Sequence, residues 1–248
     1  DAARAAAPLI MALAVVSIVY GACLALVQND IKKIIAYSSI SHLGYVMLGL
    51  ISLDLVGILG AIIQMVSHGL TAAGLFLMVG MIYERCHTRD LAAYGGLAKL
   101  LPVYSVFFMI LTLASVGLPT TSGFTGEFLV LLGAFRSGWA AWQHGAVFPL
   151  AMAVLAVSGV VLGALYMLRF AQAFLFGASR APHQPLADLD GRERAILAII
   201  VAAVFYLGLF PAGALRMTEQ AAVQYRQLVA ERVATPQRPV ASVEGLVR

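Results

Sequence analysis

Six apolar runs with almost no charged side chains inside them constrain the fold of this chain more than any other feature. They cover residues 7–27, 34–53, 55–83, 100–135, 146–174 and 195–210. A helix of about 20 apolar residues crosses the ~30 Å hydrocarbon core of a lipid bilayer. The pattern therefore predicts six transmembrane helices within residues 1–215, the fourth too long to be straight. A polar tail over residues 216–248 follows, helical to about residue 234 and disordered beyond it.

The scarcity of charge indicates the class of protein. Of the 248 residues, 61% are hydrophobic and 11% are charged, and the mean hydropathy is +0.91. A soluble domain carries about 25% charged residues, so this chain cannot cover a surface that faces water. We predict an all-α polytopic membrane protein with lipid around it. The chain begins at Asp1 without an initiator Met, which suggests a fragment of a longer protein.

No sequence signal of a cofactor is present. Cys23 and Cys86 lack the spacing of a metal site or an iron–sulfur cluster, and there is no glycine-rich phosphate loop for NADH or a flavin. We predict that the chain carries no metal, no cofactor and no redox centre of its own.

The basic residues predict an orientation in the membrane. Short cytoplasmic loops are enriched in Lys and Arg, so the net charge of +4 is no indication of nucleic-acid binding. Loops one, three and five, together with the nearby Arg169, hold most of these residues, whereas loops two and four hold only Arg136. The basic residues of the odd-numbered loops are Lys32, Lys33, Arg85, Arg89, Lys99, Arg180, Arg192 and Arg194. We therefore predict cytoplasmic odd loops, with both ends of the chain on the opposite side.

Glu127 is the residue most indicative of function. An acidic side chain at membrane depth costs about 2.5–3.5 kcal/mol on insertion scales and normally marks an ion path. Gly117 and Pro119 precede it and predict a broken helix, which lipid tolerates only beside protein or a watery cavity. Discontinuous helices next to an ionisable residue are typical of transporter sites. The alternatives are a simple proline kink and a Glu127 that lies at a helix end among the headgroups.

Two histidines and a lysine complete the predicted site. His42 and His68 lie in the second and third apolar runs, and each follows a serine, Ser41 or Ser67, that could orient the ring or hold a water molecule. Histidine titrates near physiological pH and suits proton transfer, although a membrane histidine also serves as a hydrogen bonder between helices. Lys32 precedes His42 by about 15 Å along a helix, as a relay station or as a cytoplasmic anchor.

Three segments resemble a known family, the antiporter-like subunits of respiratory complex I and their Mrp-antiporter relatives. Residues 30–44 fit the family pattern D-[IL]-K-[RK]-x-[LI]-A-Y-[ST]-S-x-S-H-x-G, and the third-span region and the broken helix are also similar. The segments read DIKKIIAYSSISHLG (30–44), SHGLTAAG (67–74) with YERCHTRD (83–90), and GLPTTSGFTGEF (117–128). The resemblance covers residues 5–215. Glu127 indicates the M-type group, because L-type, N-type and Mrp D-type chains have Lys at the corresponding place.

The resemblance implies more than the residues alone do. It implies a fourteen-helix subunit of two inverted five-helix repeats, of which this chain would be helices nine to fourteen. It assigns Lys32, His42, His68 and Glu127 to a central hydrophilic axis that moves protons. The partners would be the L-type and N-type membrane subunits of an NADH:quinone oxidoreductase in a bacterial inner membrane, together with lipid.

Three readings of function remain open from the sequence. The first is a proton-translocating subunit driven by redox chemistry elsewhere in the complex, which could also be a related hydrogenase or ferredoxin-linked complex. The second is a subunit of an Mrp-type Na⁺/H⁺ antiporter, against which Glu127 argues. The third is a structural scaffold, in which Glu127 and the histidines would be replaceable.

Overall fold

The structure is a computed structural model, and it describes residues 2–177 and 186–234. Helices make up this part of the chain, as predicted, and its one β-bridge is the isolated pair of Asp30 and Asp90. A 3₁₀ turn at Leu91–Ala93 lies between the third and fourth helices. The helices are α1 (Ala2–Leu26), α2 (Ile31–Ile51), α3 (Leu55–Cys86), α4 (Leu97–Leu100), α5 (Pro102–Val116), α6 (Ser122–Gln143), α7 (Phe148–Leu175), α8 (Gly191–Leu209) and α9 (Pro211–Ala234).

Several of these helices are membrane spans by length and composition. Within the described residues, four pass this test: Ala6–Leu26, Ile31–Ile51, Leu55–Cys86 and Phe148–Leu175. Helices α8 and α9 pass only as a pair, and they meet at a bend of 74°. Helix α5 is apolar but shorter. The chain is thus a multi-pass membrane protein, and a total of six spans stays a prediction.

Helix α2 begins at Ile31, three residues before the predicted start of the second span. The carboxylate of Asp30 accepts hydrogen bonds from the amides of Lys32 and Lys33, at 2.8 and 3.1 Å. An aspartate at the N-cap satisfies amides that have no partner inside the helix. Lys32 and Lys33 therefore lie in the first turn of α2 rather than in the loop.

The fourth apolar run is broken at residues 117–121, where the sequence predicted a break. Helix α5 ends at Gly117, whose φ of +82° is accessible mainly to glycine. The amides of Gly117 and Leu118 turn back to the carbonyls of Ala114 and Leu113, at 3.2 and 3.0 Å. The hydroxyl of Thr121 donates to the carbonyl of Leu118 at 2.7 Å. The break thus satisfies much of its own backbone.

Loops one, three and five meet at one end of the bundle, which we call the basic end. The amide of Ile31 donates to the carbonyl of Arg89 at 2.9 Å, which joins loops one and three. The amide of Gly96 donates to the carbonyl of Phe176 at 3.3 Å, which joins loops three and five. Arg180, which was predicted for loop five, lies outside the described residues, as do the last residues of the polar tail.

An ion pair and a cap tie three helices together at the basic end. The Arg85 guanidinium at the end of α3 binds both carboxylate oxygens of Glu193 on α8, at 3.0 and 2.7 Å. It also donates to the backbone carbonyls of Ala187 and Asp188. The carboxylate of Asp188 accepts the amides of Val103 and Tyr104 at the start of α5, at 2.9 and 3.1 Å. From the sequence, Arg85 indicated only the orientation in the membrane, and this network was not predicted.

Candidate functional site

Glu127 lies at hydrogen-bond distance from His42 inside the bundle. Nδ1 of His42 on α2 lies 2.9 Å from Oε1 of Glu127 on α6. Both residues are buried, with 5% and 6% of their surface exposed. Glu127 lies in the second turn of α6, directly after the break, so the break determines where the carboxylate points. A β-carbon added at Gly117 would come within 3.1 Å of Oε2 of Glu127, which shows how closely the break approaches the carboxylate.

Gln64 on α3 contacts both members of this pair. Its Nε2 lies 3.3 Å from Oε1 of Glu127 and 3.4 Å from Nδ1 of His42. Its Oε1 is buried and has no hydrogen-bond partner among the residues that the structure describes. Buried polar atoms are nearly always paired, so this oxygen is a suitable position for an ordered water molecule. Gln64 was not among the predicted site residues.

Glycines bring α3 and α6 close enough for these contacts. A β-carbon on Gly126 would lie 2.8 Å from the Cα atom of Gln64, and one on Gly133 would overlap the backbone of Gly57. Small residues at such crossings allow the backbones of membrane helices to approach closely. The crossing therefore places the amide of Gln64 beside the carboxylate of Glu127.

The second ring nitrogen of His42 faces two hydroxyl groups. Nε2 lies 3.4 Å from Oγ of Ser115 on α5 and 3.5 Å from the hydroxyl oxygen of Tyr166 on α7. Side chains from α3, α5, α6 and α7 thus surround the imidazole. Ser115 and Tyr166 were not predicted. A tyrosine in an apolar run gives no sequence signal that separates it from the many aromatic residues of a core.

His68 lies beside His42. The two ring centroids are 4.9 Å apart, and the ring planes are inclined by 31°. His68 is half-buried, so it is the more open of the two rings. The structure thus brings together three of the four predicted site residues, Glu127, His42 and His68.

The serines next to the histidines have other partners. The Ser41 hydroxyl donates to the carbonyl of Ile18 on α1 at 2.8 Å, and the Ser67 hydroxyl pairs with that of Ser122 on α6 at 2.8 Å. These contacts connect helices. The contacts of the His42 ring are instead with Gln64, Ser115 and Tyr166, and among the described residues no hydrogen bond joins the ring to Ser41.

Lys32, the fourth predicted site residue, lies apart from this cluster. It is exposed in the first turn of α2 at the basic end, next to Phe76, Tyr83 and Arg89. Ten residues of α2 separate it from His42, about 15 Å at the rise of a helix. Within the described part of the chain, no hydrogen bond or ion pair joins Lys32 to the histidines or to Glu127.

The arrangement suits proton exchange rather than metal binding. Over residues 2–177 and 186–234, no group of three His, Cys, Asp or Glu side chains is placed to hold a metal ion. A carboxylate and an imidazole at hydrogen-bond distance can exchange a proton, and low local dielectric strengthens their attraction. Hydroxyl groups on the far side of the ring offer the proton a second neighbour.

Comparison with known proteins shows which family this chain resembles. A family model described as NADH:quinone oxidoreductase/Mrp antiporter, TM, matches residues 2–153. NADH-quinone oxidoreductase subunit M of Rhodobacter capsulatus is 46% identical over 200 residues, which is 80% of this chain and 37% of the relative. The subunit M of Pseudomonas aeruginosa is 40% identical over 83% of this chain and 38% of its own length. The chain thus spans well under half the length of these relatives.

Solved structures show the same fold. A chain of respiratory complex I from Thermus thermophilus with bound NADH superposes with a TM-score of 0.81 at 34% identity, over 91% of this chain and 45% of that one. A chain of the Mrp complex from Dietzia superposes with a TM-score of 0.77 over 88% of this chain and 47% of that one; its 20% identity shows the shared fold alone.

The family that residues 30–44 and 117–128 suggested is therefore confirmed by sequence similarity and by fold. The chain belongs to the NADH:quinone oxidoreductase/Mrp antiporter transmembrane family.

Proposed function

We propose that this chain forms part of a proton-translocating membrane subunit of a redox-driven NADH:quinone oxidoreductase. The observation that carries the proposal is the buried pair of Glu127 and His42 directly after the helix break. An ionisable pair at membrane depth is costly, and such residues are therefore rare and mark ion paths or proton relays. The names and identities of the relatives from Rhodobacter and Pseudomonas support the same assignment.

In this proposal, the proton moves along Glu127, His42 and His68. His42 can accept a proton at Nδ1, next to the carboxylate, while Nε2 faces Ser115 and Tyr166. Protonation of His42 strengthens its attraction to Glu127, and arrival of a second proton at the carboxylate weakens it again. The half-buried His68 would then exchange its proton with water. Lys32 would act as the outer station at the basic end, with water bridging the distance to His42.

The energy would come from partner subunits. The chain would carry no redox centre and bind no cofactor, and it would act within a bacterial inner membrane beside L-type and N-type antiporter-like subunits. We also propose that its helices form six spans and correspond to helices nine to fourteen of the fourteen-helix family fold. Helices α5 and α6 would then be the two halves of one broken span.

An Mrp-type Na⁺/H⁺ antiporter subunit is the second candidate, because a chain of the Dietzia Mrp complex has the same fold. Glu127 favours the NADH:quinone oxidoreductase subunit, because the D-type chains of Mrp antiporters have Lys at the corresponding position. A hydrogenase-like or ferredoxin-linked complex is a related host, and a chain of an archaeal membrane-bound sulfane sulfur reductase superposes at 26% identity.

Transport by the complete complex in vesicles separates these functions. With NADH and a soluble quinone as substrates, a pH-sensitive dye should report proton uptake at the same rate in sodium-free and sodium-containing buffer. Uptake that needs a sodium gradient and no NADH would favour the antiporter. Quinone reduction without any proton movement would favour a scaffold.

A further inference from the structure

A groove at the basic end lies outside the Glu127 cluster. It has a volume of about 410 Å³ and lies between the start of α2 and the last turns of α3. Its lining residues are Lys32, Phe76, Val79, Gly80, Tyr83 and Arg89. Two cations therefore lie above an apolar floor. Neither of them takes part in the contacts of the Glu127 cluster.

Both cations are available to a ligand. Lys32 and Arg89 are exposed, and neither forms an ion pair with a side chain of residues 6–177 or 186–229. Two other arginines do form ion pairs, Arg85 with Glu193 and Arg136 with Asp54. The Arg89 guanidinium lies 4.8 Å from the ring centre of Tyr83, an arrangement that holds the cation in place and leaves its donors free.

Two carboxylates that are close to these cations in the sequence bind backbone amides. Asp30 accepts the amides of Lys32 and Lys33 as the N-cap of α2. Asp90 accepts the amide of Ala92 at 3.0 Å as the cap of the next turn. Neither carboxylate forms an ion pair with Lys32 or Arg89 within residues 6–177 and 186–229, so both cations keep donors for an anionic group.

The floor of the groove follows one face of α3. Phe76, Gly80 and Tyr83 are spaced by four and three residues, so they lie above one another on that face. A β-carbon added at Gly80 would meet no atom within 4 Å, so the missing side chain leaves a slot between the two aromatic residues. The slot leads from the basic end toward the hydrocarbon depth of the helix.

We propose that this groove binds one anionic phospholipid. The phosphate would lie between Lys32 and Arg89, and one acyl chain would lie over Gly80 against Phe76 and Val79. Basic clusters at the end of membrane helices recognise anionic headgroups, and long basic side chains reach headgroup level from apolar surroundings. The apolar floor distinguishes this site from one for free phosphate, because a phosphate ion has no acyl chain to bury against the floor.

Native mass spectrometry of the complete complex tests the site, with phosphatidylglycerol and phosphatidylcholine of identical acyl chains as probes. The wild type should retain phosphatidylglycerol in preference to phosphatidylcholine. Lys32→Gln and Arg89→Gln should each weaken retention of phosphatidylglycerol about fivefold, because each basic residue contributes separately to headgroup attraction. The matched control is Lys33→Gln, which removes the same charge from a neighbouring residue that does not line the groove.

A second variant tests the slot without changing any charge. Gly80→Leu should fill it and lower the retention of both lipids, whereas Gly163→Leu on α7, also at a glycine with open space around it, should have no effect. Equal retention by the wild type and the Lys32, Arg89 and Gly80 variants would overturn the proposal, as would a groove covered by another subunit of the complex.

Lys32→Arg separates lipid binding from proton transfer. Arginine keeps the charge and binds phosphate, but it does not give up its proton in proteins. The proposed lipid site therefore predicts unchanged retention of phosphatidylglycerol in this variant. Loss of pumping with retention intact would support a relay role for Lys32, and loss of retention would contradict the lipid site.

Discussion

Nδ1 of His42 and Oε1 of Glu127 lie 2.9 Å apart, and the two residues reach each other from different helices across the interior of the bundle. The distance is short enough for a hydrogen bond with a charged partner. Glutamine has nearly the same shape as glutamate but cannot titrate. Glu127→Gln therefore removes the titratable group and changes the shape of the side chain little.

Glu127→Gln should reduce NADH-driven proton pumping to below about one tenth of the wild-type rate, since a positioned acid or base typically contributes at least that factor. Proton uptake by vesicles that contain equal amounts of assembled complex measures it. Glu127→Asp should retain partial activity, because it keeps the acid and withdraws it by one methylene. Full pumping by the Gln variant would exclude Glu127 from the relay and favour a scaffold role.

Gln64→Met should slow pumping about threefold to tenfold, less than Glu127→Gln, because it removes one hydrogen-bond donor to the pair and no titratable group. Its effect should be non-additive with Glu127→Gln, since residues in contact couple energetically. Pumping rates of the two single variants and the double variant measure the coupling. Independent effects would show that Gln64 contributes to packing alone.

His42 and Glu127 were predictable, because an ionisable residue in an apolar run is conspicuous whatever its partner. Their contact was not, since it depends on how α2 and α6 cross. Gln64 carried a weaker signal, as a polar residue one turn before His68 in the same run. Tyr166 and Asp188 carried none: the first resembles core aromatic residues, and the second acts on α5, far away in the sequence. The start of α2 was missed by three residues because the cap by Asp30 extends the helix into the charged loop.

Gly208→Ala should destabilise the protein by about 1–3 kcal/mol through overpacking. A β-carbon there would overlap the carbonyl oxygen of Thr120, because α8 packs directly on the helix break. Gly213→Ala is the matched control on α9, where the added carbon meets open space. The midpoint of thermal unfolding of the purified complex compares them. Equal midpoints for the two variants would mean that α8 does not press on the break.

Arg85→Gln should lower thermal stability more than Glu193→Gln does. Both break the ion pair, but Arg85 also donates to the carbonyls of Ala187 and Asp188, which then lose their partner. A double-mutant cycle should give a coupling of about 0.5–3 kcal/mol, the range for residues in one network. A coupling near zero would show that the carboxylate adds nothing to the backbone contacts of Arg85.

Thr88→Cys should react with a membrane-impermeant maleimide from the cytoplasmic side only, because basic loops stay in the cytoplasm. The background should replace Cys23 and Cys86, since Cys86 lies two residues away in sequence and is only half-buried. Mass spectrometry of intact cells and of inverted vesicles gives the accessible side. Labelling in intact cells would reverse the orientation argued from the loop charges.

The cap on α5 has a consequence for how the protein is made. The amides of Val103 and Tyr104 find their partner in Asp188, 85 and 84 residues later in the chain. Ribosomes add about 5–20 residues per second, so several seconds pass between synthesis of the two parts. Until then, the first amides of α5 lack this partner, and the start of a helix has no partners for them within the helix itself. The cap on α5 can therefore form only after the chain has been synthesised as far as Asp188.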